Sequence, residues 1–160
     1  MNTKSSSRFV GICAAVAVAV GILSPAAFAV DSVVSNDAPD LTAVRAKIKV
    51  KDFSGAIADL RKIADTTQHA DVYNLLGFSL RKSGDYKAAY TFYRKALDFD
   101  PNHKGAHEYL GELYAETGEL AKAKGMLVKL EKLCPQGCEE REDLEKAIAA
   151  APAAPAAKIN

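Results

Sequence analysis

The sequence predicts an all-α chain, a short solenoid of antiparallel helix pairs with a C-terminal capping helix, and three observations carry that expectation. Identical residues recur 34 positions apart: Gly77 and Gly111, Gly84 and Gly118, Ala89 and Ala123, Pro101 and Pro135, His69 and His103. Five matches at one spacing are an internal repeat. Within each period the apolar residues follow helical spacing. The 160 residues are 49% apolar and 26% charged, which suits a packed core and is unlike collagen or a wholly disordered chain.

Residues 1–29 read as an address. Lys4 and Arg8 precede an apolar run from Val10 to Leu23, Ser24-Pro25 breaks it, and Ala27-Phe28-Ala29 offers a small-residue cleavage site. That is the layout of a secretory signal peptide. The run falls short of the about 20 apolar residues that cross the hydrocarbon layer, so a cleaved signal is the expectation and an uncleaved N-terminal anchor, which would equally export the rest of the chain, is the alternative. Cleavage after Ala29 is expected, with a periplasmic or secreted location and no stable membrane span once the signal is removed. Residues 30–40 read as a flexible lead-in.

The helical domain is expected over 41–149, beginning with a degenerate unit over about 37–69. Arg45, Lys47, Lys49 and Lys51 alternate with Ala46, Ile48 and Val50, a strand pattern; a helix is nevertheless expected, because a solitary strand among helices has no partner. Phe53, Ala56, Ile57, Leu60, Ile63 and Ala64 then give a helical stripe, Phe53 lying 33 residues before Tyr86.

The unit over 70–103 is clearer. Tyr73, Leu76, Gly77 and Leu80 form one stripe, ended by Ser83-Gly84; Tyr86, Ala89, Tyr90, Tyr93, Ala96 and Leu97 form the next. Asp100-Pro101 closes it, because the residue before proline leaves the helical region. The unit over 104–137 repeats this with Leu110, Gly111 and Tyr114, then Leu120, Ala123, Leu127 and Leu130, ending at Cys134-Pro135. Gly77 and Gly111 are read as points of close helix approach, with Ala89 and Ala123 as their small facing partners.

Over about 139–149, Leu144, Ala147, Ile148 and Ala151 form an apolar stripe, and Glu139, Glu140, Glu142 and Asp143 crowd the first turns, where acids favour the helix dipole. This is the expected cap, since the end of a solenoid needs a polar-backed cover. Residues 150–160 are an Ala/Pro-rich tail that cannot bury a core.

Tyr73, Leu76-Gly77, Leu80, Ala89, Tyr93 and Pro101 resemble the tetratricopeptide repeat pattern. The second unit is similar, with His107 and Leu127 where aromatics are usual. The resemblance implies packing roles for Tyr73, Leu76, Gly77, Leu80, Ala89, Tyr93 and Pro101, and for Leu110, Gly111, Tyr114, Ala123, Leu127 and Pro135. It further implies a concave groove lined by the first helix of each pair. Carried over by position, the groove residues are Asp71, Asn74, Phe78, Arg81 and Lys82, then Glu108, Tyr109, Glu112 and Glu116. Phe78 and Tyr109 would be apolar anchors, and Arg81, Lys82, Glu108 and Glu112 would fix orientation. Glu108, Glu112 and Glu116 recur every four residues, so they repel along one face. That repulsion points either to a basic partner or to a solvated face offset by Arg81 or Lys82. Glu108 and Glu112 stand where cationic or amide groups would help hold an acidic chain terminus.

The formal charge of +1 falls to −1 without residues 1–29, which leaves no broad positive field for nucleic acid. Cys134 and Cys138 are the thiols left after cleavage, and an exported chain meets an oxidising compartment. A disulfide is the bland reading; a redox-active pair, a soft-metal clip and two inert thiols are the alternatives. His103 and His107, four apart, have a spacing that can hold zinc, but no convergent third ligand is identifiable. No nucleophile elbow, phosphate loop or separated acid/base pair appears. The expectation is a non-enzymatic adaptor without catalytic residues, metal or cofactor, binding a segment of another envelope protein. The alternatives are a thiol-disulfide or copper-handling protein using Cys134 and Cys138, and a self-associating scaffold.

Overall fold

The computed structural model describes residues 38–151. The signal peptide, its cleavage point, most of the lead-in and nearly all of the tail lie outside the described residues. Within them the chain forms seven α-helices: α1 (Thr42–Lys49), α2 (Phe53–Ala64), α3 (Ala70–Lys82), α4 (Tyr86–Phe99), α5 (Lys104–Glu116), α6 (Leu120–Leu133) and α7 (Glu139–Ala149). No β-strand occurs among the described residues. Each helix packs on the next, while α5 also packs on α3 and α7. The short solenoid of helix pairs expected from the 34-residue period is the observed architecture.

The alternation at 45–51 does not make a strand. Leu41, Val44 and Ile48, at helical spacing, turn one face of α1 into the core, and this stripe outweighs the alternation around it.

Local chemistry repeats with the period. Asp52 and Asp85 cap α2 and α4, accepting from the Gly55 and Ala88 amides at 2.9 and 3.0 Å. His69 and His103 cap α3 and α5 through Nδ1, accepting from the Asp71 and Ala106 amides at 3.2 and 3.0 Å. These caps satisfy amides the first helical turn leaves open. The turn inside each pair also recurs: the Asp52, Asp85 and Glu119 amides donate to the Lys47, Leu80 and Tyr114 carbonyls at 2.9, 2.9 and 2.7 Å. Such a closure requires one residue in the left-handed region. Gly84 and Gly118 adopt it at φ +88° and +79°, and in the degenerate unit Lys51 adopts it at φ +63°.

The helix-packing residues lie largely inside. Tyr73, Leu76, Gly77, Leu80, Ala89 and Tyr93 are buried, as are Leu110, Gly111, Tyr114 and Ala123. Leu127 is half-buried, and Pro101 and Pro135 stand exposed in turns. The glycine partners differ from expectation. A Cβ on Gly77 would lie 2.6 Å from the Tyr93 ring, so that ring is the group that comes nearest. At Gly111 the occupant is Leu144 of α7, its methyls 2.6 Å from such a Cβ. Leu144 lies 34 residues beyond Leu110 and is fully buried. The helix read as a cap therefore stands in the register of a further first helix.

Candidate functional site: the face of alternate helices

Residues of α1, α3, α5 and α7 converge on one face. An apolar pocket of about 220 Å³ is lined by Arg45, Ile48 and Lys49 of α1, Leu75 and Phe78 of α3, and Tyr109 of α5. It adjoins a cleft of about 310 Å³, sharing Arg45, Leu75 and Tyr109. Asp71 and Asn74 of α3, His103, Gly105 and Glu108 at α5, and Glu139, Glu140 and Asp143 of α7 complete the cleft. The face is thus apolar on one side and acidic on the other.

Arg81 organises the centre. Its guanidinium donates to Glu116 at 2.7 Å and to Glu112, both on α5, and its Nε donates to the Tyr93 hydroxyl at 3.3 Å. The same guanidinium lies 5.7 and 5.8 Å from the centroids of Phe78 and Tyr109, whose rings are 5.0 Å apart. At 3% exposure Arg81 is a tie between α3 and α5, and this corrects its assignment as an orienting group for a partner. The Glu112 and Glu116 charges are met from within, so two members of the glutamate row do not call for an external cation. The row's geometry was legible in the sequence; its neutralisation depended on how α3 approaches α5.

Glu108 is different. It is 7% exposed, and among the described residues its carboxylate takes part in no hydrogen bond or ion pair. Burial, helped by the Glu112, Asp143 and Glu140 carboxylates, pushes its pKa up to about 8 against the weaker pull of Arg81. Asn74, 5% exposed and lining the same cleft, has a buried Oδ1 with no hydrogen-bond partner. Both line the cleft, and both are buried within it. Asp71 is half-buried and accepts from His103 Nε2 at 2.8 Å; the Nδ1 cap at Ala106 fixes that tautomer. Phe78 and Tyr109 are half-buried, and Lys82 is exposed with its ammonium 5.4 Å from the Phe78 ring.

The two histidines singled out for their spacing have separate partners. His103 turns to Asp71, while His107 Nε2 donates to the Pro101 carbonyl at 2.9 Å. Among the described residues no group of three His, Cys, Asp or Glu side chains is placed to hold a metal. Cys134 and Cys138 flank the α6–α7 turn with Cα atoms 6.0 Å apart, within disulfide reach. That turn is not helical, and Gly137 takes φ +96° within it.

Residues 80–134 match the tetratricopeptide repeat family. The chain carries tetratricopeptide repeats. Its similarity extends to ycf37, an uncharacterized protein of Pyropia yezoensis, at 33% identity over 104 residues, 58% of each chain. The ycf37 protein of Guillardia theta is 32% identical over 72 residues, 45% of this chain and 40% of that one. The Sol locus transcriptional repressor of Clostridium acetobutylicum shares 36% identity over 58 residues, 36% of this chain and 18% of that protein. The chain therefore spans about half or less of the length of these relatives. Tetratricopeptide repeats indicate a protein-interaction module, and the exposed side chains of the first helices distinguish one such module from another.

The contributors that sequence reasoning missed are Arg45, Ile48 and Lys49 of α1, Leu75 of α3, His103 and Gly105 at the start of α5, and Glu139, Glu140 and Asp143 of α7. The 34-residue spacing from Leu110 to Leu144 is the signal for Glu139 and Asp143: it places them in register with Gly105 and Tyr109, two residues of the same cleft.

Proposed function

We propose that the protein is an exported, non-enzymatic adaptor of the cell envelope that binds a segment of another protein on the face formed by α1, α3, α5 and α7. The observation that carries this reading is the apolar pocket at Phe78 and Tyr109 running directly into the acidic cleft at Glu108. Large apolar groups beside convergent polar ones are what a specific binding surface needs. The Arg81 tie preorganises it, which lowers the ordering cost on binding. The signal-like residues 1–29 support export, and the Cys134–Cys138 separation supports a disulfide that fixes the turn into α7.

Photo-crosslinking in intact cells tests the reading. A benzophenone side chain at Lys49 or Lys82, beside the apolar pocket, is expected to give a discrete adduct, whereas one at Lys124 of α6 is not. Equal labelling from all three positions, or none, overturns it. Fractionation of the same cells, with the mature N-terminus read by mass spectrometry, tests export and cleavage after Ala29.

A further inference from the structure

We propose that the acidic cleft receives a lysine or arginine side chain of the partner segment, with a neighbouring apolar residue of that segment lying over Ile48 and Phe78; this deepens the reading of the face as a protein-binding surface and rests on it. Charge complementarity commits the occupant. The cleft is rimmed by carboxylates from α3, α5 and α7, and its most acceptor-rich part is also its least satisfied. Asp71 is met by His103, and Asp143 by Lys146 at 2.8 Å. Lys104 approaches Glu140 at 3.7 Å. Glu108 and the Asn74 Oδ1 have no such donor among the described residues.

The Asn74 Oδ1, buried in the cleft without a donor, carries an energetic penalty that a bound donor relieves, and the Glu108 carboxylate beside it has no donor from the protein among the described residues. An ammonium offers three donors and a guanidinium five, so either can serve several acceptors at once. A bare metal ion is the poorer fit, because no three of these side chains are placed to hold one. The exposed Arg45 lines the cleft and makes no ion pair among the described residues, so it competes with an incoming cation without filling the site.

Adjacency to the apolar pocket adds the second requirement. The two cavities share Leu75 and Tyr109, so one short segment can place a basic side chain in the cleft and an apolar one beside it.

NMR titration of the ¹⁵N-labelled full protein with acetyl-Leu-Lys-amide tests the proposal against acetyl-Leu-Gln-amide and calcium chloride. Saturable shifts are expected at the Gly105 amide, the Asn74 side-chain amide and the Glu108 amide with the lysine peptide and not with the glutamine one. Glu108→Gln is expected to weaken the response about tenfold, with circular dichroism checking that its helices remain. Equal responses to both peptides overturn the cation site, as does a calcium response stronger than the peptide's at the same residues. Absence of saturable shifts up to the solubility limit overturns it too, and the wild-type comparison stands even where the variant fails to fold. A concave-face crosslink in cells together with a flat titration refutes this inference while leaving the adaptor reading intact. Loss of the crosslink with a positive titration does the reverse.

Discussion

The Arg81 guanidinium on α3 donates to Glu112 and Glu116, one turn apart on α5, and its Nε reaches the hydroxyl of Tyr93 on α4. One buried cation therefore joins three helices from two consecutive repeats. Its two carboxylate partners keep some access to water, which spares them part of the penalty of losing it. Arg81→Ala is expected to destabilise the domain by about 3 kcal/mol, the lower end for breaking a buried pair. Urea denaturation at neutral pH measures it, and a loss below about 0.5 kcal/mol, the scale of a surface pair, would show that the tie is not structural.

The two repeat glycines should respond differently to alanine. At Gly77 the added carbon meets the ring of Tyr93, fully buried and held by Arg81, whereas at Gly111 it meets the terminal methyls of Leu144. Alanine gains about 1 kcal/mol of helix propensity at either site, and overpacking costs about 1–3 kcal/mol. Gly77→Ala is expected to be net destabilising and Gly111→Ala near neutral. In a double-mutant cycle, Gly111→Ala should be tolerated better with Leu144→Ala than with Leu144 present; strict additivity would disprove the contact.

Lys51 occupies a left-handed turn position that glycine holds in the other two pairs. A side chain there costs about 1–2 kcal/mol relative to glycine, less the entropy glycine loses on folding. Lys51→Gly is expected to stabilise the protein by about 0.5–1 kcal/mol, read as a higher urea midpoint with unchanged slope. Unchanged stability would mean that α1 is not closed by this turn.

Glu108 makes stability fall with rising pH. It is faced by Arg45 of α1, by Asp71 and Arg81 of α3, by Tyr109 and Glu112 of its own helix, and by Glu139, Glu140 and Asp143 of α7. Its pKa rises on folding from 4.5 to about 8, so between those values the native state binds the extra proton. The resulting penalty is absent below pH 4.5, grows through the interval and is complete above pH 8. Glu108→Gln is expected to raise Tm at pH 9 and leave it nearly unchanged at pH 4. A variant that shifts Tm equally at both would refute the assignment.

The bridge proposed between Cys134 and Cys138 closes a small ring, worth about 2 kcal/mol on the chain-entropy model. Intact mass before and after reduction should differ by two hydrogens, and hydrogen exchange in α7 should quicken once the pair is reduced. Protein isolated from its native compartment with both thiols free would sink this prediction.

Much of the domain was legible because its determinants are local. Spacing, proline stops and glycine turns act within a few residues, so the 34-residue period led directly to the helix pairs now observed. Even α1 was expected as a helix despite its alternating charges, because a solitary strand among helices has no partner; the stripe of Leu41, Val44 and Ile48 that packs it emerged only in the structure. The candidate face was legible only in part. Position named Phe78 and Tyr109, but it could not tell the buried, engaged Arg81 from the exposed Lys82.

By itself the sequence determined the repeat, its register and the chemistry available on the first helix of each pair, since these follow from periodicity along one chain. Tertiary structure decided which charges remain unanswered. Arg81 crosses to α5 and neutralises two glutamates of the row, while α7 brings further carboxylates against the third. Whether a carboxylate meets a cation or another carboxylate depends on separations between helices distant in sequence, and those are fixed only when the helices pack.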